Sequence, residues 1–113
     1  MTAGPLVADL AELSQVAEGG IVSKPIVENE HHKIVLFTFA AGQELSEHTA
    51  SVPAVMQILE GECEVTLGAD HYNAQAGFWV YMQAKLPHSL LARTPVKMLL
   101  LMLSDVKETG QVE

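Results

Sequence analysis

Cys63 is the only cysteine in the chain, so no intramolecular disulfide can form and no oxidising compartment is implied. As a small apolar side chain within a strand, it reads as a buried hydrophobe. Aromatic residues are scarce, at 5% of the total, which leaves Val, Leu, Ile, Ala and Met to build the core. Basic residues are few as well: six against 14 acidic ones, for a formal net charge of −8. A field of that sign repels phosphate backbones and anionic lipid, which argues against nucleic acid and membrane surfaces as partners. Long hydrophobic runs are missing too. The longest, Met98 to Leu103, is about a third of the ~20 residues a membrane helix needs. Met1 to Leu13 lacks a basic region and carries Asp9 and Glu12, unlike a signal peptide. These absences together lead to the expectation of a cytoplasmic protein.

Apolar residues make up 49% of the 113, enough for one core; two halves would each be too small to bury one. Three regions are expected: an N-terminal arm over 1–20, one barrel over 21–103, and a polar tail over 104–113 that frays. In the arm, Leu6, Leu10 and Leu13 are spaced for one or two helical turns between Pro5 and Val16, or the segment is extended. Gly19-Gly20 ends it. From Ile21 onward short strands alternate with turns: Ile21 to Val27, Ile34 to Phe39, Val55 to Leu59, Cys63 to Leu67, His71 to Ala74, Phe78 to Met82, Ser89 to Ala92 and Met98 to Leu103. Pro25 places the first at a sheet edge. Seven or eight strands with turn signals every eight to twelve residues indicate an all-β sandwich or barrel. Ile34–Phe39 and Met98–Leu103 are apolar on both faces and need cover on both, so a homodimer through one barrel face is expected.

Two segments carry candidate chemistry. The first runs from Gly42 through His48 to Gly61, and the second from Gly77 to Pro87-His88. Each opens on a glycine turn and holds one histidine. These segments resemble the two signature motifs of the cupin superfamily, G-x5-H-x-H-x3,4-E-x6-G and G-x5-P-x-G-x2-H. Gly42, His48 and Gly61 match the first; Gly77 and His88 match the ends of the second. The resemblance spans roughly residues 21 to 103. It implies a double-stranded β-helix, or jelly-roll, barrel with His48 and His88 facing into its mouth.

In metal-binding cupins three His and one Glu converge on a divalent ion. Here the second His position holds Ala50 and the Glu position Ala54, while Gln83 and Lys85 replace the Pro and Gly of the second motif. Only His48 and His88 remain of the implied ligand set. Two imidazoles leave most of a transition metal's coordination sphere to water. Met56 shares Ala54's face by strand alternation and is a candidate lining residue, although its thioether is a soft ligand suited to Cu(I). Glu47 and Gln57 should face away. One of His31 and His32 could reach the rim; both, with His71, otherwise read as surface residues. Trp79 and Tyr81 share one strand face and read as core or dimer interface. No Ser-His-Asp, Cys-His, phosphate-loop or CxxC pattern is present, and no catalytic residue is identified.

The leading expectation is a cupin that binds a small polar or anionic molecule between His48 and His88, in a cavity widened by Ala50 and Ala54. The first alternative is a metal-dependent enzyme of oxygenase or isomerase type, with a divalent transition metal on His48, His88 and a third group. The second is a structural or interaction domain whose barrel is filled by side chains. The fold by itself does not choose among them.

Overall fold

The computed structural model of the chain describes residues 4–14 and 18–103. Val16 and the tail over 104–113 lie outside them. The arm contains a single helical turn, α1 (Leu10–Leu13), capped by the Asp9 carboxylate on the Ala11 N–H. Of the two expected conformations the described arm thus shows one helical turn, the remainder having no regular structure.

Nine strands follow among the described residues: β1 (Ile21–Glu28), β2 (Lys33–Phe39), β3 (Glu44–His48), β4 (Ala54–Glu60), β5 (Glu62–Leu67), β6 (Asp70–Gln75), β7 (Trp79–Met82), β8 (His88–Ala92) and β9 (Val96–Met102). They form two antiparallel sheets, ordered β1-β2-β9-β4-β7 and β3-β8-β5-β6. This is the expected all-β barrel, with one strand, β3, more than the apolar pattern predicts. Alternation sets what each strand buries: Ala54, Met56 and Ile58 from β4, Cys63 and Val65 from β5, Leu90 and Ala92 from β8, Val96 and Met98 from β9. Cys63 sits in this core, where burial outweighs the nearby Arg93 cation and pushes its thiol up to about 11. Pro25 lies on an edge strand, where the missing N–H is tolerated, and the register shifts between Pro25 and Val27.

The outer face of the five-stranded sheet has two halves. Arm residues line one groove with Lys24, Pro25 and Ile26 and another with Leu59, Glu60 and Lys97. The arm thus crosses β2, and Leu36 and Thr38 beneath it are buried although they point outward. The other half carries Ile34, Leu101, Val55 and Tyr81 in one register row and Leu99, Gln57 and Trp79 in the next. Trp79 is 58% exposed and Tyr81 45%, so neither belongs to the core.

Candidate functional site at the barrel rim

His48 ends β3 and His88 begins β8, and the two are direct partners in the ladder. Strict alternation would not produce this. Leu45 packs against the core and pairs with Leu90, two residues beyond His88. His48 lies three residues from Leu45, so one extra residue is inserted on β3 between them. That bulge changes the parity of the strand and brings His48, not Glu47, opposite His88.

The rings stand 4.2 Å apart between centroids, tilted by 59°. His88 is 6% exposed, whereas His48 is open to solvent at the rim. His48 Nδ1 is 2.8 Å from the carbonyl oxygen of Ser46, and His88 Nδ1 is 2.9 Å from that of Leu86. A carbonyl only accepts, so each Nδ1 carries a proton and donates. In the neutral rings both Nε2 atoms are therefore acceptors with free lone pairs. Burial holds the pKa of His88 below its usual value; the bond to Leu86 opposes this shift, and the neighbouring His48 adds to it.

The loop between β7 and β8 is fastened on several sides. Lys85 N–H donates to Ala50 O (2.7 Å), Gly68 N–H to Pro87 O (2.8 Å) and Leu86 N–H to Gln83 O (3.3 Å). Lys85 is the described non-glycine residue with a left-handed backbone, at φ 70°. It occupies the position where the motif has glycine, so the loop keeps its turn despite the substitution.

The opposite wall differs from expectation. Ala54 pairs with Met82 on one side and Met102 on the other. Ala54 is buried, so it does not open on a widened cavity. Met56 sits one rung deeper in the core, 1% exposed, and lines no mouth here. The methionines that flank Ala54 across the ladder are Met82 and Met102. By sequence both read, with Met56 and Met98, as core filler, some of which could line an apolar cavity; Met82 is in the core and Met102 packs against it.

The remaining candidates stay apart from the pair. His31 and His32 lie at the β1–β2 turn, where Asn29 accepts from both backbone N–H groups. His71 contacts Thr66 Oγ1 across the β5–β6 hairpin. Among the described residues, no group of three or more His, Cys, Asp or Glu could hold a metal ion. Ala50 and Ala54 bring no donor atom, so two imidazole nitrogens do not fit a resident divalent ion that needs three or four protein ligands. No described helix is long and apolar enough to cross a membrane.

Comparison with known proteins agrees with this architecture. A conserved protein of unknown function from Streptococcus pyogenes is 26% identical, with 94% of this chain and 93% of that one covered and a TM-score of 0.80. A cupin superfamily protein from Desulfitobacterium hafniense is also 26% identical, over 85% and 88% of the two chains, with a TM-score of 0.80. An RmlC-like cupin from Desulfovibrio desulfuricans is 29% identical over 92% and 97%, with a TM-score of 0.73. No curated protein matches the chain. The family described as "Cupin domain" matches residues 35–103, more than half the chain, and includes both histidines. The chain belongs to the cupin family.

Proposed function

We propose that this cupin binds a small polar molecule at the barrel rim, where Nε2 of His48 and Nε2 of His88 accept hydrogen bonds from its hydroxyl or amine groups. The supporting observation is the pair of Nδ1 bonds to Ser46 O and Leu86 O. They fix both tautomers and leave one lone pair on each of two rings whose centroids are 4.2 Å apart, a preorganised acceptor pair. The ligand sits at the rim because Met56, Ile58 and Val65 fill the interior below. Proton–nitrogen correlation spectra of the two imidazoles, recorded while polyols, hydroxy acids and amines are added, test the reading. Shifts at both rings, lost in a His48→Ala variant, are expected. If no compound moves either ring, a filled-barrel structural or interaction domain is the better reading, one that the closed core favours.

We also infer that two copies associate through the uncovered half of the outer face. Ile34, Val55, Leu99, Leu101, Trp79 and Tyr81 lie together there in register, and exposed aromatics beside aliphatic neighbours suit a protein contact.

A further inference from the structure

Lys85 combines two features that a surface lysine has no need of. Its backbone is held at φ 70°, a region where a β-carbon is strained and glycine is at ease. Among the described residues its ammonium also has no carboxylate partner, while Lys33, Arg93 and Lys97 pair with Glu28, Glu64 and Glu60. The chain's net charge is −8, and Lys24, the other described cation with no such pair, stands by the arm on the outer face. Lys85 stands beside the histidines instead. Its N–H is bonded to Ala50, two residues past His48, and His88 follows it three positions on. Three residues span at most ~10 Å, which keeps the Lys85 backbone close to His88, and a lysine's four-carbon stem is long enough to cross much of that distance.

The two kinds of group ask for different chemistry. Neutral Nε2 atoms accept hydrogen bonds and repel a bare carboxylate, while an ammonium attracts one. We propose that the ligand is a small hydroxycarboxylate: its hydroxyls donate to His48 and His88, and its carboxylate pairs with Lys85. This rests on the rim-binding reading above and names its ligand class. Backbone strain retained beside a binding site is then the cost of placing a cation there.

Glycerate carries both groups, glycerol only the hydroxyls, and propionate only the carboxylate. The three are titrated at matched ionic strength into the metal-free full-length protein, with the imidazole signals of His48 and His88 as readout. Glycerate is expected to bind at least tenfold more tightly than either of the others. Lys85→Gly should erase that advantage while raising Tm by a few degrees, because glycine relieves the strain; Lys85→Arg should keep it. Equal affinity for glycerate and glycerol, or unchanged glycerate affinity in Lys85→Gly, would overturn the role of Lys85 while leaving rim binding intact. If none of the three moves either ring, the hydroxycarboxylate inference fails, and the wider panel of polyols and amines decides rim binding separately.

Discussion

His48 and His88 face each other as ladder partners, with rings 4.2 Å apart, and the buried member of the pair resists taking a proton. Burial, against the bond to Leu86 and with help from His48, keeps the pKa of His88 below 6.5 in the folded protein. In the unfolded chain it returns to about 6.5. Between the two values only the unfolded state binds the proton, so this contribution to stability is complete above pH 6.5 and declines as pH falls through the window. Urea unfolding at pH 7.5 and pH 5 should therefore show a larger loss for the wild type than for His88→Gln. Equal losses would contradict the shift.

Metal loading gives a second test. The protein, exposed in turn to Mn, Fe, Ni and Zn and then dialysed, should retain no stoichiometric ion, because two imidazoles hold such ions weakly. Elemental analysis is the measurement. One ion per chain, lost on replacing His48 and His88 by Ala, would mean that a further ligand joins them.

Gly61 is fixed by its surroundings as well as by its φ of 96°. A β-carbon there would stand 2.1 Å from Pro95 O and 2.9 Å from Val96 Cα. Gly61→Ala should cost at least ~2 kcal/mol, the sum of backbone strain and a clash with main chain. Gly42 has a similar φ of 85° with nothing within 4 Å of its added β-carbon, so Gly42→Ala should lose only about 1 kcal/mol. Denaturant midpoints of the two variants at unchanged slope measure the difference.

Light scattering tests the proposed self-association. The wild type should behave as a dimer at micromolar concentration, and Val55→Lys with Leu101→Lys should give a folded monomer. These residues pair across β4 and β9 on the bare half of the sheet, so two ammonium groups would be desolvated in the contact. A monomeric wild type would remove the proposal.

Much of this architecture was legible because hydrophobic alternation is a local signal. β4 and β5 announce themselves in that way, β2 and β9 as short runs apolar on both faces, and Pro25 marks its edge. β3 does not: Leu45 is its one apolar residue, and the inserted residue before His48 breaks the period that would reveal it. The spacing of the two motifs still located His48 and His88. It could not reveal that backbone carbonyls set both tautomers, or that Ala54 is enclosed between Met82 and Met102. Those depend on cross-strand register and on a loop bond to Leu86. Lys85 was visible as a departure from the motif, but its left-handed backbone follows only from a loop anchored at Ala50 and near Gly68.

The contact between Pro95 and Gly61 also decides where this barrel tolerates added sequence. With main chain from the β8–β9 turn seated against the β4–β5 turn, neither can lengthen without displacing the other. A guest peptide inserted after Gly61 would have to push that neighbour aside. The β1–β2 tip is different, since Glu30 and His31 are exposed there and the turn projects into solvent. An epitope or fluorophore-labelling tag grafted between those two residues would fall outside both strands, at the expense of the Asn29 bonds to His31 and His32.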